Sequence, residues 1–216
     1  MEYSIRHFRI AARFLGITRL DSYEVVEILR GLGYTITVPL PPRGFKTSVG
    51  IAGPIALKGN VVVDIDSDRV IIGVSSPNPE ECIDEFVTVE KAITSYIEAL
   101  KEAYFYELLA ELEVRSGIAP MELMKRISCC NTVVEEISKV LGERLFIFGY
   151  RLTRDGSSPE ESEWVDIEIL PSLARPHSSL YIAIVYRSRE REKVLEKGRN
   201  IKSLINAVRN LVMQSS

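Results

Sequence analysis

Two short acidic patterns are the residues whose types and spacing best suit chemistry. Asp64 and Asp66 alternate with valine and isoleucine, and Asp166 and Glu168 repeat this pattern 102 residues later. Because side chains in a strand alternate between its faces, each pair of carboxylates shares one face of a sheet. Clustered carboxylates hold Mg²⁺ or another hard cation, or act as an acid–base pair, so converging strands would form a metal site. The alternative is an ordinary solvated strand face.

A second candidate is a nucleic-acid-binding surface made of basic residues in the first quarter of the chain. Its members are Arg9, Arg13, Arg19, Arg43 and Lys46. Residues 12–25 have the spacing of a helix-turn-helix, with helical packing in an ordinary α+β unit as the alternative. The last two basic residues flank Phe45 in a proline-rich segment, which is either a base-stacking loop or a plain connector.

Little else in the sequence matches a catalytic or cofactor motif. Cys129 and Cys130 are adjacent, Cys82 is the third cysteine, and His7 and His177 are the only histidines. An odd cysteine count makes a poor disulfide framework, and the supply of zinc ligands is small. We therefore expect buried free thiols and predict no cofactor and no catalytic triad.

Composition and charge are those of an ordinary globular chain. The 216 residues are 46% hydrophobic with a net charge of −3, which is no general nucleic-acid signature. No apolar run approaches the ~18–20 residues that span a bilayer, so we expect a cytoplasmic protein with no membrane segment. Residues 80–113 hold ten acidic and two basic residues, whereas residues 187–216 hold eight basic and three acidic ones. Such segregation is typical of solvated helix faces or of surfaces that dock in an oligomer.

Hydrophobic spacing predicts short helices, strands and two long helices. Residues 4–15 are interpreted as a helix, with an alternating strand as the rival interpretation. Asn78 caps a helix that begins at Pro79 and keeps helical spacing to about Arg115, which would span ~50 Å if continuous. The other predicted helices are residues 22–33, 120–128, 131–142 and 190–212, and the predicted strands are residues 34–38, 47–51, 60–66, 69–75, 145–152, 163–170 and 179–187.

This order of short helices, strands and a long helix occurs twice. The tripeptide Val25-Val26-Glu27 recurs as Val133-Val134-Glu135, and the acidic strand pattern recurs in the same order. We infer an internal duplication in an α+β fold of two pseudo-repeated units, residues 1–116 and 117–216, that face each other about a pseudo-twofold axis.

The duplicated order resembles the TATA-binding-protein-like fold. Residues 60–76 carry the resemblance best, as a predicted hairpin that feeds the capped helix at Glu80. The resemblance implies two halves that form one saddle-shaped sheet with helices on its convex side. On the outer face of such a sheet, the acidic strand pairs would repel DNA phosphates.

The function predicted from these features is a non-enzymatic binding or assembly protein that self-associates through its long helices. One alternative is a DNA-binding regulator that uses the N-terminal helices and the basic C-terminal helix. Another is a metal-dependent enzyme that uses the paired strand carboxylates.

Overall fold

The computed structural model describes residues 2–39, 50–100, 102–127 and 132–214. Its fold class is α+β, as predicted, with one nine-stranded antiparallel sheet. The elements in chain order are β1 (Tyr3–Phe14), α1 (Ser22–Gly31), β2 (Thr35–Ile36), β3 (Ala52–Lys58), β4 (Val61–Asp66), β5 (Ile71–Ser75), α2 (Pro79–Tyr96), a 3-10 turn (Glu98–Leu100), β6 (Ala103–Arg115), α3 (Pro120–Ile127), α4 (Thr132–Leu141), β7 (Tyr150–Thr153), β8 (Trp164–Pro171), β9 (Ser179–Ser188), α5 (Arg191–Arg199) and α6 (Ile201–Gln214).

The first element is a strand, so the interpretation of residues 4–15 as a helix is wrong. Phe8, Ile10, Ala12 and Phe14 are buried at every second position, which is the period of a strand with one face in the core. The arginines between them are spaced by three or four residues, which is why they imitate a helix. The helix-turn-helix interpretation of residues 12–25 fails for the same reason, because that segment begins in β1 and reaches only the start of α1.

The predicted long helix is two elements. Asn78 does cap α2 through its side chain, but the helix ends at Tyr96 and strand β6 begins at Ala103. Buried residues of β6 such as Leu108 and Leu112 are four apart, and a spacing of four fits both a helical turn and a strand alternation. The predicted 50 Å helix therefore does not exist. The predicted last helix is likewise divided at Asn200, between α5 and α6.

Four of the predicted strands lie where the sequence places them, as β4, β5, β8 and β9. The predicted strand at residues 34–38 is the shorter β2, and the one at residues 145–152 begins only at Tyr150, as β7. The predicted strand at residues 47–51 lies partly outside the described residues, and residues 50–51 are not in a strand. Strand β3 is not among the predicted strands, and the turn from β3 to β4 lies at Gly59, whose φ is 60°. No helix among the described residues is long and apolar enough to cross a membrane.

The sheet is pseudo-symmetric about the pair Ile10 and Leu108. The strand order is β2-β3-β4-β5-β1-β6-β9-β8-β7, so each half runs outward from a central strand with the same connections. Arg9 pairs with Leu109 on one side of the axis, and Ala11 pairs with Glu107 on the other. When Ile10 is matched with Leu108, β6 is the first strand of the second half, and the sheet continues across the axis without a break. The division into residues 1–116 and 117–216 stays a prediction.

The helix that matches α1 in the second half is α3. Val25 and Val26 of α1 are buried, and so are Leu123 and Met124 of α3, which follow them by 98 residues, the offset between Ile10 and Leu108. The predicted match of Val25 with Val133 is wrong, because Val133 lies in α4 and is 64% exposed. Among the described residues, strand β2 has no counterpart in the second half and helix α4 has none in the first.

Helices α2 and α5 cover the same face of the sheet. The core between them and the strands includes Phe8, Phe86 and Val194. Gly198 of α5 packs closely there, because a Cβ at this position would lie 3.3 Å from Phe8 Cζ. Cys82 is a buried free thiol, as expected, and burial raises its pKa to about 12. The predicted thiols at 129 and 130 lie outside the described residues.

A buried carboxylate ties the two halves of this layer together. Glu90 of α2 is 6% exposed, and it accepts hydrogen bonds from the Tyr106 hydroxyl of β6 at 2.8 Å and from Arg191 of α5 at 3.1 Å. The buried Glu90 carboxylate needs these partners, because an unpaired buried charge is strongly destabilising.

Candidate functional site

The sheet face opposite α2 and α5 gathers most of the residues predicted to be functional. We call it the open face and define it by Arg9, Asp64, Glu107, Asp166 and Arg187. Side chains alternate between the two faces of a strand. Arg9 lies on the open face because its neighbours Phe8 and Ile10 are buried in the core on the opposite face. The alternation of residues along each strand therefore determines which side chains lie on the open face, and the order of the strands determines which of them are neighbours.

Arg9 and Asp64 form a bidentate ion pair that bridges over strand β5. Arg9 Nε lies 2.9 Å from Asp64 Oδ1, and Nη2 lies 2.5 Å from Oδ2. Both side chains are 19% exposed. Burial alone would lower the pKa of Arg9, but the hydrogen bonds and charge of Asp64 raise it. The guanidinium passes over Gly73, where an added Cβ would lie 2.6 Å from Arg9 Cζ.

A second ion pair lies on the other side of the pseudo-twofold axis. Arg187 donates to Glu107 Oε2 from Nε at 2.9 Å and from Nη2 at 2.5 Å. It also donates to the carbonyl oxygens of Pro159 and Glu161, and its guanidinium lies 4.2 Å from the centre of the Phe105 ring. Arg187 thus holds the loop before β8 against the open face.

The structure does not bring the two acidic strand pairs together. Asp64 and Asp66 lie on β4, whereas Asp166 and Glu168 lie on β8, and four strands separate them. At about 4.8 Å per strand, the two pairs are about 24 Å apart. In the part of the chain that the structure describes, no three His, Cys, Asp or Glu side chains are grouped so as to hold a metal ion.

Three of these four acids have an arginine beside them. Asp64 pairs with Arg9 as described, and Arg151 of β7 donates to both oxygens of Asp166 at 2.8 and 2.7 Å. Asp66 accepts the Arg69 backbone N–H at 3.0 Å and lies 3.7 Å from its Nε. Glu168 lies on the same face of β8, and its charge contributes to the raised pKa of Arg151.

The three described residues that were predicted to bind nucleic acid do not form one free basic patch. Arg9 is paired with Asp64, and Arg19 lies 3.1 Å from Asp68. The Arg13 guanidinium lies 5.6 Å from the centre of the Tyr104 ring. The other two predicted residues, Arg43 and Lys46, lie outside the described residues. A DNA phosphate would have to compete with existing carboxylate partners for two of the three described arginines.

Glu113 is the most enclosed carboxylate on β6. Its side chain is 7% exposed and accepts hydrogen bonds from Arg6 and, at 3.3 Å, from the Ser172 hydroxyl. The hydrogen bonds from Arg6 outweigh burial and, helped by the charge of Arg175, lower the pKa of Glu113. A lowered carboxylate pKa stabilises the fold above the unfolded-state pKa, and this contribution disappears as the pH falls through the folded-state pKa.

We therefore expect Glu113→Gln to destabilise the protein by about 1 kcal/mol near neutral pH, a modest value because Arg6 is solvent-exposed. The loss should shrink as the pH is lowered below about 4, where the unfolded carboxylate is protonated. Urea unfolding of both proteins across this pH range measures it. Glu160→Gln, which removes an exposed carboxylate, is the control, and a Glu113 effect that is constant with pH would contradict the assignment.

Helix α4 presents an apolar surface whose side chains are largely exposed to solvent. The α4 surface consists of Val133, Ile137, Val140, Leu141 and Leu145, which are 64%, 46%, 84%, 61% and 38% exposed. Leu145 returns alongside the helix, because its backbone N–H donates to the Ser138 hydroxyl at 3.1 Å. The sequence predicts this helix and its apolar side, but it gives no signal that the side stays exposed.

A cleft lies between α1 and the C-terminal end of α2. It has a volume of about 690 Å³, and its lining combines Tyr23, Glu24, Ile28, Leu32 and Tyr96, with Asp21, Glu27, Gly31, Ala92 and Ile97 completing the wall. Sequence reasoning missed it. The only signal was the spacing of Asp21, Glu24 and Glu27 by three residues, which places their carboxylates along one side of α1.

Comparison with known proteins adds no relative. No protein-family model matches this sequence, and no curated protein matches it. The chemistry of the surfaces described above is therefore the basis for function.

Proposed function

We propose that this protein is a non-enzymatic binding and assembly protein that self-associates through the α4 surface. The observation that carries the proposal is that α4 is amphipathic and yet buries none of its residues. A helix of ten residues is marginal by itself in water, and most helices gain their stability by packing an apolar face. Docking of a second copy supplies that packing.

The size of the α4 surface suits a dimer contact. From the exposed fractions of its five residues, each copy leaves about 500 Å² of apolar side chain in water, within the range of functional patches on monomers. A two-fold contact between two copies would bury about 1,000 Å² before any polar rim is counted, which is the size that a specific interface needs.

The open face supports the other two functions less well. Its arginines and carboxylates neutralise each other across the strands, as in the pairs Arg9–Asp64 and Arg187–Glu107. Phosphate binding or metal binding there would first have to break ion pairs that are partly shielded from solvent.

The resemblance to the TATA-binding-protein-like fold enters the same proposal. The order of connections, repeated outward from Ile10 and Leu108, supports a relation to that fold. We propose that this protein uses such a duplicated sheet as a scaffold, and that α4 of the second half supplies the assembly surface.

The test of the proposal is Val140→Glu. A charge at Val140, within the contact, would be buried twice in a dimer, so we expect the dimer dissociation constant to rise at least about 100-fold. Sedimentation equilibrium of the purified chain over a range of concentrations measures it. Leu173→Glu is the matched control, because Leu173 is also 84% exposed but lies outside the α4 surface. A wild-type chain that stays monomeric at every concentration would refute the proposal.

A further inference from the structure

The cleft between α1 and α2 has apolar walls and an acidic rim. Ile28 and Leu32 of α1 face Ala92 and Ile97 from the end of α2 across its floor. Its volume of about 690 Å³ lies within the range of small-molecule sites, which are mostly apolar and carry a few fixed polar groups.

Among the described residues that line the cleft, every charged one is acidic. Asp21, Glu24 and Glu27 are exposed carboxylates along α1, and none of the described lining residues is basic. Arg30 lies 2.6 Å from Glu27 and offsets that one charge. Asp21 accepts the Tyr23 backbone N–H at 2.8 Å and so caps α1, which fixes the position of its carboxylate at the mouth of the cleft. Carboxylates beside apolar walls attract a cation and repel an anion.

Two tyrosine rings add a second cation-favouring feature. Tyr23 lies in the first turn of α1 and Tyr96 ends α2, so the rings come from the two sides of the cleft. Tyr96 is 79% exposed, which is unusual for a large aromatic side chain. The face of an aromatic ring attracts ammonium groups, and aromatic cages bind organic cations in this way.

We propose that the α1–α2 cleft binds a small organic cation, an ammonium group carried on an apolar body. The apolar body packs on Ile28 and Leu32, and the ammonium group lies between Glu24 and the ring of Tyr96. This site lies on helices α1 and α2, apart from the α4 surface. The proposed ligand binding can therefore be tested independently of the proposed self-association.

The probe is phenethylammonium, titrated into the full-length protein and followed by the ¹H–¹⁵N chemical shifts of α1 and the end of α2. We expect saturable binding with a dissociation constant of about 1 mM or lower. The neutral analogue 2-phenylethanol should bind at least about tenfold more weakly, because it lacks the charge, and phenylpropionate should not bind. Equal binding of the ammonium and the alcohol would overturn the proposal.

Two variants locate the cation. Glu24→Gln removes a rim charge without changing size, and Tyr96→Ala removes an exposed ring, so neither change disturbs the core. Each should weaken phenethylammonium binding at least about threefold. Glu136→Gln, on distant α4, makes the same change in net charge and should leave binding unchanged. Wild-type affinity in both cleft variants would overturn the assignment.

A peptide of residues 190–205 tests the competing occupant, a basic protein segment. This segment carries five basic residues, Arg191, Lys193, Lys197, Arg199 and Lys202. Should the peptide shift the same resonances while phenethylammonium does not, the cleft is a protein-docking groove and the proposed ligand class is wrong. Binding of phenethylammonium at the cleft, lost in the two variants, supports the proposal.

Discussion

Replacing Leu29 with alanine is expected to lower the free energy of unfolding by about 2–5 kcal/mol, the usual range for a buried leucine truncated to alanine. Leu29 lies on α1 in the first half of the sheet and is fully buried. For a chain of this length, the loss corresponds to a fall of roughly 4–20 °C in Tm. Leu173→Ala removes the same atoms from a residue that is 84% exposed, and it should cost less than about 0.5 kcal/mol.

The same variant tests whether the two halves unfold together. Trp164, the single tryptophan, is buried in β8 of the second half, so its fluorescence reports on that half. Because one sheet and one core span both halves, Leu29→Ala should shift the Trp164 transition and the circular dichroism transition by the same amount. An unshifted Trp164 transition would show that the halves unfold as independent units.

Replacing Gly73 with alanine is expected to cost about 1–3 kcal/mol, although alanine is ordinarily the better strand residue. The Cβ of the new residue would lie 2.6 Å from Arg9 Nε, so the guanidinium must move away from Asp64. The two charges would then be left partly buried without their bidentate contact, and loss of such a partner carries a cost of this size.

A double-mutant cycle with Arg9→Ala isolates the cause. Without the guanidinium above Gly73 there is nothing to displace, so Gly73→Ala should be neutral or slightly stabilising in that background. Urea unfolding of the four proteins measures the coupling. An equal cost in both backgrounds would mean that backbone geometry, rather than the Arg9–Asp64 pair, requires glycine at this position.

Local signals in the sequence were enough for the elements that local chemistry determines. The hairpin β4–β5 follows from alternating valine and isoleucine around a polar turn, and α2 begins where Asn78 and Pro79 place it. The C-terminal end of α2 and the nature of β1 and β6 were not determined in this way. Their apolar residues satisfy both the strand and the helix period, and only pairing with neighbouring strands decides between the two.

For the candidate sites too, the sequence predicted what depends on local backbone geometry and did not predict what depends on strand order. The alternation of Asp64 and Asp66 correctly placed both on one face of a strand, since that depends only on backbone geometry. It could not reveal that Arg9, 55 residues away, reaches Asp64 across Gly73. Nor could it reveal that the two acidic pairs would lie at opposite sides of the sheet, because duplication gives equivalent positions without making them neighbours.

By itself, the sequence determined the α+β class and the amphipathic character of α4. Tertiary structure alone decided that β1 and β6 are the central strands, which arginine meets which carboxylate, and which apolar surfaces remain exposed. The physical reason is that periodicity and capping act within a few residues. Ion pairs and burial depend on strand order, which joins residues such as Arg6 and Glu113 that lie 107 positions apart.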